Sequence, residues 1–163
     1  MSTPCGHEHH HHGLSGQGLA AELTAANGRC IDAGQKLTPP RRRVLELLLG
    51  AGQPVKAYDL IASYGQDGAP AKPPTVYRAL DFLSRQGFVH RIESLNAYVA
   101  CRHSGSETGD NHGAAFLICD CCGVTREMEP LPMEGVEQAA ANARFTIKSI
   151  TLEAHGLCGD CRS

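Results

Sequence analysis

The sequence predicts an α+β chain in which a winged helix-turn-helix unit precedes a small α/β unit closed by a four-cysteine metal site. Three observations carry this. The first half reads as basic helices ending in a short hairpin. The second half is acidic and mixes strands with one helix. Two Cys-x-x-Cys pairs, Cys119/Cys122 and Cys158/Cys161, bracket that second half. At 163 residues the chain makes one domain or two small ones. For small units a core alone is marginal, and a metal or a partner chain usually helps.

The formal charge of −2 hides an asymmetry. Residues 28–92 carry ten Lys/Arg against five Asp/Glu, a net of +5, whereas residues 93–163 carry five against ten, a net of −5. A basic half joined to an acidic half fits one half meeting a polyanion, although an uneven solvated surface has the same totals. Met1-Ser2-Thr3-Pro4-Cys5 lacks the basic and apolar regions of an export signal, and no run reaches membrane-spanning length. Eight cysteines without an export signal point to metal or redox chemistry rather than a disulfide framework, and the cytoplasm is the expected compartment.

In chain order, residues 1–16 form a histidine-rich tail, Gly6-His7-Glu8-His9-His10-His11-His12-Gly13. It formally contains His-Glu-x-x-His, but that zinc-protease chemistry needs an ordered helix, and the tract has no apolar periodicity to build one. Weak exchangeable metal binding and a purification-tag remnant are both open readings. A first helix is expected over Leu19–Ala33, with Leu19, Leu23, Ala26, Cys30 and Ala33 three or four apart. Thr38 as a hydroxyl N-cap and Pro39 at the first position start a second, ended by Gly50-Ala51-Gly52. A short third spans Ala57–Tyr64. Pro73-Pro74-Thr75 opens the fourth, which Gly87 closes.

On that fourth helix Val76, Ala79, Leu80 and Leu83 share one arc, while Tyr77, Arg78, Asp81 and Arg85 share the other. Such a polar face is often merely solvated. The basic surroundings and the hairpin Phe88–Ile92/Ala97–Cys101 turn the reading toward a helix that enters the major groove of DNA. Arg78 and Arg85 suit guanine edges or phosphates, and Tyr77 a thymine methyl or a phosphate. Arg41, Arg42, Arg43 and Lys72 suit the DNA backbone, and Thr75 stands at the start of the reading helix. Beyond a polar loop, strands are expected at Ala115–Ile118, Val124–Met128 and Phe145–Leu152, with a helix at Glu134–Ala143.

Two Cys-x-x-Cys knuckles give the tetrahedral sulfur site of a structural zinc. The alternative is a redox dithiol, which two separate pairs fit poorly. Cys121 offers other pairings, but the two-residue spacing favours Cys119 with Cys122. In the hairpin, a turn over residues 93–96 sets Ile92 opposite Ala97, His90 opposite Val99 and Phe88 opposite Cys101. His90 and Cys101 are then diagonal neighbours on one face, within reach of one metal. A histidine and a cysteine there are equally compatible with surface and core roles. His112 and Glu127 are available to complete a mixed site, and its sulfur favours zinc over iron(II) or manganese(II).

Lys72-Pro73-Pro74-Thr75-Val76-Tyr77-Arg78-Ala79-Leu80-Asp81-Phe82-Leu83, Gln86-Gly87-Phe88-Val89-His90, Leu37-Thr38-Pro39 with Arg41, Ala57-Tyr58-Asp59-Leu60, Ile118-Cys119-x-x-Cys122-Gly123 and Glu153-Ala154-His155-Gly156-Leu157-Cys158 resemble the ferric uptake regulator family, in its zinc uptake regulator branch. The resemblance spans roughly residues 19–163. It implies a homodimeric zinc-responsive repressor acting on palindromic double-stranded operators, with no membrane, no small-molecule substrate and no enzymatic activity. The implied layout is a winged-helix DNA-binding domain over 17–101, a hinge over 102–113 and a zinc-binding dimerisation domain over 114–163. It further implies at least two zinc ions per protomer: structural zinc at Cys119, Cys122, Cys158 and Cys161, and sensory zinc at His90, Cys101, His112 and Glu127. Tyr77 and Arg78 fall on the family's DNA-reading helix. Asn111-His112-Gly113 stands where iron sensors carry His-His-Asp-His, which weakens the alternative of an iron or peroxide sensor. His103 and His155 are candidates for a further metal site.

Overall fold

The computed structural model describes residues 13–65, 69–101, 114–129, 131–148 and 150–162. They fall into two compact units, divided between residues 101 and 114. The N-terminal unit runs α1 (Gly16–Asp32), α2 (Pro39–Ala51), β1 (Val55–Lys56), α3 (Ala57–Ala62), α4 (Pro73–Arg85), β2 (Val89–Ile92) and β3 (Ala97–Ala100). The C-terminal unit runs β4 (Ala114–Cys119), β5 (Thr125–Met128), α5 (Glu134–Asn142) and β6 (Thr151–Gly156).

Helices α2 and α4 begin where the chain supplies an extended residue and a proline. Thr38 precedes α2 in an extended conformation, with proline in the first turn, where a missing N–H costs nothing. Its hydroxyl makes no capping bond, however; only its carbonyl engages, accepting from the Arg42 N–H at 2.9 Å. Pro73 and Pro74 start α4 in the same way after Lys72. The apolar stripes then find each other. Leu23, Ala26 and Cys30 of α1, Val44, Leu45 and Leu48 of α2, and Val76, Ala79, Leu80 and Leu83 of α4 form one buried core with Leu60, Phe88, Val89 and Ala100. The α4 stripe is the expected one, with Phe82 added to it.

The wing is a three-stranded antiparallel sheet, ordered β1-β3-β2. Its register sets Ile92 opposite Ala97 and His90 opposite Val99, and the Cys101 N–H bonds the Phe88 carbonyl at 2.9 Å, as the four-residue turn requires. The two-residue β1 was not anticipated, being too short for any periodic signal; it adds Val55 and Lys56 to the outer side of β3.

In the C-terminal unit β4 is central, antiparallel to β5 and parallel to β6. Here the expectation of a strand over Phe145–Leu152 needs correcting. Strand pairing begins only at Thr151 and runs to Gly156, while Phe145 stands 69% exposed. The alternating pattern was real, but the parallel register Ile118↔His155 and Cys119↔Gly156 decides the position, because it carries Cys158 to the end of β4.

Leu83 is fully buried beneath the wing and the other helices. Leu83→Ala is expected to destabilise the N-terminal unit by about 2–5 kcal/mol, read from the denaturant midpoint of its unfolding.

Candidate metal centres and nucleic-acid interface

Both cysteine knuckles are built by strand ends. The Cys119 N–H bonds the Val124 carbonyl at 2.9 Å, and the Gly123 N–H returns to the Cys119 carbonyl at 2.9 Å. That turn places Gly123 at φ 75°, a region other residues enter only with strain. The second knuckle closes through Cys161 N–H to Cys158 carbonyl, 3.1 Å. Parallel pairing of β4 and β6 then sets the knuckles face to face. One metal-ligating atom from each of Cys119, Cys122, Cys158 and Cys161 lies within 4.8 Å of the others, and Cys121 is outside this group.

The Cys122 and Cys158 sulfurs are 3.7 Å apart. A tetrahedron with zinc–sulfur bonds of about 2.3 Å puts its corners about 3.8 Å apart, so the four sulfurs suit that ion. The Cys158 N–H also points at the Cys119 sulfur, at 3.3 Å. Backbone N–H groups of Cys122 and then Cys158 pull the Cys119 thiol down to about 6. Burial pushes Cys122 and Cys161 up. Four sulfurs this close shed all their protons only against a cation, which is what a divalent metal supplies.

On the wing, His90 and Cys101 each present a ligating atom within 4.8 Å of the other's. The register therefore does what the turn implied, aiming an imidazole and a thiol at one point. Glu127 lies half-buried on β5, opposite Phe116 of β4. His112 and His103 lie outside the described residues. His155 does not face the sulfur cluster as a ligand; its Nδ1 sits 3.0 Å from the Asp120 carboxylate, and its Nε2 is 3.9 Å from Glu153.

The polar face of α4 stands open. Tyr77 is 52% exposed, and Arg78 is exposed with no hydrogen bond or ion pair among the described residues. Arg85 is held by Asp81 one turn earlier, at 3.0 Å. Lys72 is exposed at the N-cap, and Thr75 is half-buried in the first turn.

Two expected phosphate-binding arginines have other engagements. The Arg41 guanidinium lies 3.4 Å above the Phe82 ring and donates to the Lys36 carbonyl at 2.6 Å, bracing α2 against α4. Arg43 donates to the Tyr64 carbonyl at 2.8 Å and pairs with Glu46 at 2.9 Å. One residue that sequence spacing could not flag is Glu22 of α1, which lines a cavity of about 290 Å³ together with Cys101.

A family model described as the ferric uptake regulator family matches residues 32–155. The zinc uptake regulation protein of Escherichia coli (strain K12) is 43% identical over 143 residues, covering 85% of this chain and 80% of that protein. A ferric uptake regulation protein of Staphylococcus epidermidis is 26% identical over 134 residues, covering 80% and 90% respectively. Among solved structures, a zinc uptake regulator complexed with zinc and DNA superposes with a TM-score of 0.78 at 41% identity, covering 90% of this chain and 97% of that one.

Cobalt(II) reports the sulfur cluster directly. The chain is expected to give intense thiolate-to-cobalt absorption with one tightly held ion, and Cys158→Ser is expected to lose that band's four-sulfur intensity and to expose the C-terminal unit to proteolysis.

Proposed function

The chain belongs to the ferric uptake regulator family, and within it we propose a zinc-responsive DNA-binding repressor of zinc-uptake genes. The observation that carries the reading is the wing pair. His90 and Cys101 converge at the end of the hairpin that directly follows the DNA-reading helix α4. A metal captured there acts on the element beside the one that meets DNA. Sulfur in the set favours zinc over iron(II) or manganese(II), in keeping with the higher identity to a zinc regulator than to an iron regulator.

In this proposal Cys119, Cys122, Cys158 and Cys161 hold a structural zinc, which makes the C-terminal unit a stable platform. His90 and Cys101 supply half of the sensory site, and His112 and Glu127 supply the rest. Zinc contributes a cross-link between these halves, narrowing the range of orientations open to α4. Four protein ligands leave no open position for a catalytic water, so a regulator rather than a zinc enzyme is the reading. Linkage requires DNA to tighten zinc binding by the factor by which zinc tightens DNA binding. Tyr77 and Arg78 read base edges, with Arg85, Lys72 and Thr75 supporting them at the backbone.

The working form we propose is a homodimer on a palindromic operator, each copy placing one α4 in successive major grooves. Support for the second copy comes from the C-terminal unit. Its helix α5 has no buried residue, and Val136, Phe145 and Leu152 are exposed on an acidic unit whose own core is small. Apolar side chains left open in this way mark an association surface. No helix among the described residues is long and apolar enough to cross a membrane, and we place the repressor in the cytoplasm.

Operator binding titrated against buffered free zinc, iron(II) and manganese(II) tests the function. Zinc alone is expected to drive tight binding, and Cys101→Ser is expected to weaken the zinc-dependent gain by tenfold or more, about 1.4 kcal/mol. Full zinc-dependent binding by Cys101→Ser would remove the wing site, and a response to iron alone would move the chain to the iron sensors. Phe145→Glu is expected to shift sedimentation from dimer toward monomer, and operator binding should fall with it.

A further inference from the structure

Arg29 has no part in the function just described, yet it stands at the joint between the reading helix and the wing. Helix α4 ends in a Schellman turn. Gly87 adopts φ 70°, its N–H bonds the Ser84 carbonyl at 3.1 Å, and the Phe88 N–H bonds the Leu83 carbonyl at 2.9 Å. Phe88 is thereby held from two directions. Its N–H is tied to α4, and its carbonyl accepts from the Cys101 N–H at 2.9 Å. One residue joins the end of the reading helix to the backbone of the wing cysteine. Arg29, in the last turn of α1, grips this joint on both sides of Gly87. Its guanidinium lies 4.4 Å from the centroid of the Phe88 ring, and its Nη2 donates to the Gln86 carbonyl at 3.4 Å.

We propose that Arg29 is a positioning residue that stiffens this joint, so that zinc held at Cys101 sets the orientation of α4. This rests on the sensory reading of the wing. Only Gln86, Gly87 and Phe88 separate α4 from β2, and glycine at φ 70° is the permissive point of that link. Rotation there would let a metal-fixed wing move without carrying the helix along. A guanidinium suits the task because it is planar: its face stacks on an aromatic ring while its edge donates a hydrogen bond. The carbonyl it reaches belongs to the C-cap of α4, where a helix leaves acceptors unsatisfied and its dipole favours a cation. Arg85, the basic residue in the last turn of α4 itself, is turned back to Asp81. Arg29 is also half-buried with the Phe88 ring against it, unlike the open Arg78 on the reading face. Its helix is seated in the common core through Leu23, Ala26 and Cys30, so the clamp is anchored on a fixed element.

The test measures operator affinity of the full chain by fluorescence anisotropy, at saturating zinc and at chelator-buffered low zinc. The ratio of the two affinities is the zinc-dependent gain. Arg29→Met, which keeps an unbranched stem without the charge, is expected to lower that gain about tenfold, or 1.4 kcal/mol. Operator binding at low zinc, and zinc affinity without DNA, are expected to stay within about twofold of wild type. An unchanged gain overturns the proposal. So does an equal loss at high and low zinc, which a residue that merely holds the fold would produce. The salt dependence of operator binding is expected to keep its slope; a slope reduced by about one would make Arg29 a phosphate contact instead. A double-mutant cycle with Phe88→Leu tests the route. The paired variant is expected to lose no more gain than Phe88→Leu alone, and losses that multiply would overturn it. Arg29→Lys keeps the charge but not the planar edge, and is expected to lose about threefold of the gain. It serves where Arg29→Met does not fold, and a wild-type gain in it overturns the role of the guanidinium. Cys101→Ser separates the two readings. If that variant keeps the zinc-dependent gain, the sensory assignment fails; if Arg29→Met alone keeps it, the clamp fails and the sensor stands.

Discussion

A slip of one residue between β2 and β3 would send His90 and Cys101 to opposite faces of the wing, so the register of this hairpin is the constraint on which the sensory proposal depends. Several features hold it. Val89 pairs with Ala100, and both join the buried helical core, so a slip would drag apolar groups into water. The turn is fixed by Asn96, which adopts φ 47° and accepts a hydrogen bond from Arg91 at 3.2 Å. Arg91 also meets Glu93 at 3.2 Å. The hairpin follows α4 after only Gln86, Gly87 and Phe88, and the same core grips both elements. Disturbance of the wing is therefore felt by α4 through packing, without a long relay.

The C-terminal unit solves a different problem. Among the described residues its buried apolar side chains are few: Ala114, Ala115, Phe116, Ile118 and Cys119, all on β4. A core of this size does not offset the entropy of ordering two further strands and a helix. Four converging sulfurs change the balance, since a structural zinc contributes on the order of 10 kcal/mol to a fold that must form to bind it. The parallel register of β6 brings the second knuckle to the first. The Asp120–His155 contact fastens the same corner from the neighbouring position.

Much of this was legible in the sequence, for identifiable reasons. The α4 stripe and its polar face followed from a strict 100° period, and the wing register followed from a turn whose length admits one pairing. The two knuckles declared themselves by spacing. What escaped depended on tertiary choices. The Arg41 guanidinium lies over the Phe82 ring, and nothing local in the sequence announces that contact. The last strand was placed six residues early because alternation marks what can be a strand, while the sulfur geometry decides which part is paired. Glu22 and Cys101 are separated by most of the N-terminal unit, and only folding brings them to one cavity.

The position of β6 has a consequence for handling as well as for function. It is an edge strand, paired with β4 on one side, and the six residues Thr151–Gly156 offer their other backbone groups to any extended chain. None of the six is fully buried, and none is a lysine, an arginine or a proline that would discourage such pairing. While the sulfurs are held, that edge is short and fixed. Chelation would release it together with the exposed leucines around it, giving a segment suited to self-templated cross-strand growth. Metal-free preparations would then be lost to aggregation rather than to simple unfolding, and the structural zinc would serve as a guard on solubility.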